Sequence, residues 1–145
     1  MRYELRAKPM FVHCCHCVDC QRSTGSAFVL NAILETRAIK VTRGKPVAVP
    51  VPRDDGVHDI YRCPKCQVAV WSDYGRRPNL RFVRVGTLDA PGALPPDVHI
   101  YTRWKAKWLK LSAGTPAFRD DYVTSKLWPK ASLNRLNTAL GKTVE

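Results

Sequence analysis

Four of the chain's six cysteines fall within seven residues, Cys14-Cys15-His16-Cys17-Val18-Asp19-Cys20. No other feature constrains the fold as strongly. Adjacent Cys14 and Cys15 make an awkward disulfide framework. The N-terminal run Met1-Arg2-Tyr3-Glu4-Leu5-Arg6 lacks the apolar core of a secretory signal. Without such a signal, clustered cysteines mark a metal more often than disulfides. The remaining two form Cys63-Pro64-Lys65-Cys66, a spacing that serves a metal or a redox pair. Zinc is the favoured reading, ahead of redox, disulfide and inert thiols taken together.

Zinc accepts thiolates at about 2.3 Å and takes four ligands in a structural site. Cys15, Cys17 and Cys20 supply three from one short loop, which limits the entropy lost in ordering them. Three protein ligands leave one position open, as in a catalytic zinc site. In an extended segment the Cys14 side chain points away from its neighbour's. A closed structural site completed by Cys63, Cys66 or a histidine fits the spacing equally well. An open thiolate-bound zinc suits a thiol substrate, because the metal lowers the pKa of a coordinating thiol. The resulting thiolate is a nucleophile and attacks an electrophile such as an aldehyde. Spacing does not identify that electrophile.

The rest of the chain reads as short strands. Its 145 residues suit one domain, and 11 prolines with 8 glycines interrupt it too often for long helices. Strands are expected at Tyr3 and Leu5, at residues 10–12, 27–34, 39–42, 57–62, 68–71, 82–85 and 98–101. Val47, Val49 and Val51 alternate, but Pro50 and Pro52 push that strand to an edge. Turns are expected at 52–56 and 73–78, and a proline-rich loop at 89–96. After Trp108 the pattern weakens. Residues 130–140 form one candidate helix, with Leu133, Leu136 and Leu140 on a common face. The expected fold is mainly β, with an irregular, partly helical C-terminal tail. No run approaches the ~18–20 apolar residues of a membrane span, so the expectation is a soluble, cytoplasmic protein.

The run from Cys15 to Phe28, Cys-His-Cys-Val-Asp-Cys-Gln-Arg-Ser-Thr-Gly-Ser-Ala-Phe, resembles the glutathione-dependent formaldehyde-activating enzyme family, whose domain is shared with centromere protein V. The likeness continues at Cys63-Pro64-Lys65-Cys66, Gly86-Thr87-Leu88-Asp89 and Pro96-Asp97-Val98-His99-Ile100. It covers roughly residues 2 to 110 and implies an Mss4-like, β-rich zinc-binding fold over residues 1–112. Residues 113–145 would form a C-terminal extension packed on the same domain. The resemblance implies a catalytic zinc on Cys15, Cys17 and Cys20, and a second, structural zinc that uses Cys63 and Cys66. It implies a carbon–sulfur lyase that joins glutathione to formaldehyde as S-hydroxymethylglutathione. Two features depart from the family. Its N-terminal Cys-x-Cys is absent before Met1-Arg2-Tyr3-Glu4, so either the start lies too far downstream or this member dispenses with the structural zinc. Gln67 stands where a glycine usually follows the second pair, at a turn that favours positive φ.

The net charge of +12 attracts anions, whether acidic substrates or nucleic acid. The leading expectation is a zinc-dependent carbon–sulfur lyase acting on a small thiol such as glutathione and on formaldehyde or another aldehyde. The alternative is a non-catalytic zinc module that binds nucleic acid or protein. Among other residues, His16 reads first as a solvent-exposed loop histidine, and second as a proton shuttle. His99 reads as a core residue, and Asp89 as a turn cap. Gln21, Arg22 and Thr24 are candidates for a substrate carboxylate or for plain surface. Trp104 and Trp108 are expected to pack on the sheet. His13 and His58 look unremarkable.

Overall fold

A computed structural model describes residues 1–52 and 56–142. Within them the chain is mostly β, with nine strands in two sheets. The strands are β1 (Arg2–Leu5), β2 (Phe11–Cys15), β3 (Val29–Glu35), β4 (Ile39–Arg43), β5 (Val47–Val51), β6 (His58–Arg62), β7 (Ala69–Tyr74), β8 (Leu80–Arg84) and β9 (Val98–Ile100). Seven make one sheet in the order β5-β6-β7-β8-β3-β2-β9, and β1 pairs with β4 in a second. Pairing in the large sheet is antiparallel except for β2 with β9, which run parallel with Cys14 opposite His99. The valine–proline strand β5 is an edge, as expected from Pro50 within it and Pro52 just beyond it. The expected turn at 52–56 falls largely on residues 53–55, outside the described residues.

The central strands are buried on both faces, so β2 and β3 read as nearly continuous apolar runs. One face carries Val12, Ala32, Leu34, Val83 and Val85, covered by Tyr3, Leu5, Ile39 and Val41 of the small sheet. The other face carries Phe11, Cys15, Val29, Ile33 and Leu80, covered by the C-terminal segment. That segment runs beside β9, where the His99 N–H donates to the Pro116 carbonyl at 2.8 Å and the Phe118 N–H to the His99 carbonyl at 2.9 Å. It then forms α2 (Thr124–Leu127) and α3 (Lys130–Ala139). Leu133, Leu136 and Leu140 pack against this second face together with Trp128, which stacks on Phe11 with centroids 4.9 Å apart. Arg135 fastens α3 to the sheet by a bidentate pair with Glu35, at 2.8 and 2.6 Å.

Two local features differ from the sequence reading. Residues 18–24 form a helix, α1 (Val18–Thr24), where no helix was expected. It is only two turns long, too short to show an apolar period. It ends at Gly25, whose φ of +63° places it in the left-handed region, a common role for glycine after a helix. The strand β7 also extends through Asp73 to Tyr74, into the expected loop, because buried Asp73 pairs with Arg81 at 3.1 Å.

Candidate metal centre

Alternation along an extended chain explains the site. Residues 14–17 continue the line of β2, so Cys15 and Cys17 project to one side while Cys14 and His16 project to the other. Cys17 caps α1: its Sγ accepts the Cys20 N–H at 3.3 Å. The helix therefore carries Cys20 back toward the first two. The sulfurs of Cys15, Cys17 and Cys20 all lie within 4.8 Å of one another. Cys15 and Cys20 are buried and Cys17 is half-buried.

The three thiols perturb one another, lowering the Cys17 pKa and raising those of Cys15 and Cys20. Close contact with the Cys15 and Cys20 thiols lowers the Cys17 pKa. Cys15 is driven up by those same contacts and by burial. Beneath the site the buried Arg84 guanidinium donates to two neutral partners, Asn31 Oδ1 at 2.6 Å and Ser72 Oγ at 2.9 Å. The Cys15 contact lowers the Cys20 pKa, but Cys17 and burial outweigh it and push the thiol up to about 11; the Arg84 charge is a smaller opposing influence. Sequence reasoning missed Arg84. Its signal is a basic residue inside the otherwise apolar run Phe82-Val83-Arg84-Val85.

The three cysteines lie at the floor of an open cavity of about 950 Å³. Its sheet-side wall includes Ile33, Tyr74, Leu80 and Phe82, and its far wall includes Trp128, Leu133, Leu136 and Leu140. Arg77 also lines it; its Nε donates to the Tyr74 carbonyl at 2.7 Å, and burial lowers its pKa. His13, which looked unremarkable, lines the cavity and contacts the Tyr122 hydroxyl at 2.7 Å. Burial depresses the His13 pKa to about 4, so the ring is neutral at pH 7.

His16 is not a solvent-exposed loop residue: it is fully buried, with 0% exposure. Its direction away from Cys15 and Cys17 sends it into the core. There its Nε2 lies 3.1 Å from His99 Nδ1 and 3.5 Å from Cys14 Sγ, forming a second trio able to hold a metal ion. Gln21 braces the motif: its Nε2 donates to the His16 carbonyl at 2.7 Å and to the Trp104 carbonyl at 3.0 Å. The Thr24 hydroxyl donates to the Cys20 carbonyl at 2.8 Å. Arg22 lines a smaller pocket beside His58 and Tyr74. Asp89 pairs with Arg2 on an exposed surface. Trp104 lines the cavity edge, whereas Trp108 is 74% exposed and does not pack on the sheet as expected.

Cys63 and Cys66 stand apart from both trios. Cys63 is buried and Cys66 exposed. The N–H groups of Cys66 and Lys65 approach the Cys63 sulfur and lower its pKa to about 6. The Met1 ammonium lies 3.6 Å from the same sulfur. Gln67 has φ +61°, so the turn does demand the conformation that glycine adopts freely.

The chain is a mostly β domain whose three clustered cysteine sulfurs, lining a cavity, could hold a metal ion. Residues 1–104 match the family described as glutathione-dependent formaldehyde-activating enzyme, and the chain belongs to that family. No curated protein matches it significantly. No helix among the described residues is long and apolar enough to cross a membrane.

Proposed function

We propose that this chain is a cytoplasmic, zinc-dependent carbon–sulfur lyase that joins a small thiol such as glutathione to formaldehyde or another aldehyde. The observation that carries the reading is the Cys15–Cys17–Cys20 trio, with mutual sulfur distances within 4.8 Å, at the floor of a large cavity in a chain of this family. The donor set fits zinc: three soft sulfurs, one of them favoured as thiolate even without a metal. When bound there, zinc supplies the acidity that keeps a substrate thiol deprotonated at neutral pH. The protein's own groups do the rest. Cys15, Cys17 and Cys20 would hold the zinc at the cavity floor. Arg84 offsets the negative charge gathered there.

Cys63 and Cys66 form a second candidate site, with two ligands rather than four from this chain's described residues. The test is carbon-13 NMR of labelled formaldehyde with glutathione and a catalytic amount of zinc-assayed protein. Zinc-dependent acceleration of adduct formation is expected. A zinc-loaded sample that accelerates nothing refutes this substrate pair.

A specific surface favours a second reading, a non-catalytic zinc module that binds nucleic acid. Exposed Trp104 and Trp108 lie in the same segment as Arg103, Lys105, Lys107 and Lys110. Aromatic side chains among cations suit stacked bases and phosphates. It ranks second, because Trp104 also borders the cavity. It requires DNA or RNA binding that weakens steeply with salt.

A further inference from the structure

The far wall of the cavity is contributed by residues beyond the family match, which ends at residue 104. Leu133, Leu136 and Leu140 recur along one face of α3 and its end, and they point at the sheet face that holds Cys15, Ile33 and Leu80. None of the three is fully buried, so each keeps apolar surface available to a ligand. The charged groups of the cavity, Asp19, Arg77, Asp121 and Lys142, come from other elements. A polar thiol substrate finds its partners among those groups. Asn31 and Asn137 add amides to the same cavity, and the three leucines supply the apolar surface of its α3 wall.

We infer that the aldehyde substrate of this enzyme is an aliphatic aldehyde of several carbons, whose chain lies against Leu133, Leu136 and Leu140. The inference rests on the proposed thiol–aldehyde reaction and names its electrophile. Formaldehyde has one carbon and cannot cover an apolar wall, whereas each methylene buried there strengthens binding roughly fourfold. In the reaction the thiol sulfur bonds to the carbonyl carbon, and the π pair of the C=O bond moves to oxygen. The proton lost by the thiol ends on that oxygen, giving a hemithioacetal with no oxidant or reductant.

The test compares carbonyl-labelled hexanal with formaldehyde at matched glutathione. The full, zinc-loaded chain is used, and adduct exchange is followed by carbon-13 NMR. Rates are referred to the unhydrated aldehyde. The enzymatic kcat/KM for hexanal is expected to exceed that for formaldehyde at least tenfold. In Leu136→Ser and Leu140→Ser, checked for zinc content and folding, that ratio falls at least fivefold. Acceleration with formaldehyde and no preference for hexanal overturns the inference and leaves the proposed reaction standing. Acceleration with neither aldehyde overturns both. The wild-type comparison decides the matter even if both variants fail to fold.

Discussion

Besides its leucine packing, α3 is tied to the sheet by a bidentate ion pair, whose removal has a calculable effect. Arg135 donates from Nε and Nη2 to the two Glu35 oxygens and from Nη1 to the Lys8 carbonyl. The Glu35 side chain is 9% exposed and that of Arg135 33%. Truncating one partner of a buried pair costs about 3–5 kcal/mol, because the other charge stays buried. Here the guanidinium is already a third in water, and solvent reaches Glu35 once it is gone. We therefore expect Arg135→Met to cost about 2 kcal/mol at pH 7. For a domain of this size that lowers Tm by about 5–8 °C. The pH dependence supplies an internal control. The Arg135 hydrogen bonds lower the Glu35 pKa in the folded state. A carboxylate depressed on folding contributes stability above its unfolded pKa of about 4.3 and loses it as pH falls through the folded value. Urea unfolding of both proteins between pH 7 and pH 3 should show the deficit of Arg135→Met shrinking toward acid. A deficit under about 0.5 kcal/mol at pH 7, or one as large at pH 3 as at pH 7, refutes the argument.

Three further outcomes follow from the same geometry. Cys17→Ser should lose one equivalent of zinc by elemental analysis, together with the thiol–aldehyde activity. Retention of both would remove Cys17 from the site. Arg84→Met takes away a buried cation that opposes the rise of the Cys20 pKa, together with its hydrogen bonds to Asn31 and Ser72. Zinc affinity at pH 7, read by competition with a chromophoric chelator, should fall by about tenfold, whereas unchanged affinity would show that Arg84 serves the fold alone. At Gln67, with φ +61°, Gln67→Val should cost about 1–2 kcal/mol in thermal or urea unfolding while Gln67→Gly stays within about 1 kcal/mol of wild type; equal effects would show that the turn relaxes.

The β architecture was legible because apolar runs broken by proline and glycine leave few alternatives to short strands. Tyr3 with Leu5, the valines of β5 and the apolar stretch of β3 all lie in strands. The helix α3 was legible from the spacing of Leu133, Leu136 and Leu140. The two-turn helix α1 was not, because its polar residues show no period and its cap is a cysteine rather than a serine or threonine. The cysteines of the candidate centre were legible because their ligands are close in sequence. Arg84, His13 and the α3 wall were not. They reach the site through pairings such as Asn31 with Arg84 across β3 and β8, which no local pattern encodes. His16 was misread for a related reason: a loop-like position between two cysteines hides the fact that its neighbours across β9 are core residues.

The run Cys14-Cys15-His16-Cys17 depends on register more than on composition. Alternation sends Cys15 and Cys17 toward Cys20 and the cavity, and Cys14 and His16 toward His99. The parallel pairing of β2 with β9 sets Cys14 opposite His99, and the His16 N–H donates to the Ile100 carbonyl at 3.0 Å. Slipping this strand by one residue would exchange the two sets, placing a mixed thiol–imidazole pair at the cavity and two cysteines in the core. Pairing on both sides of β2 opposes that slip, with five residues in register against β3 and three against β9. The sheet thus decides which trio faces the cavity, and the buried contact of His16 with His99 helps to hold the other face in place.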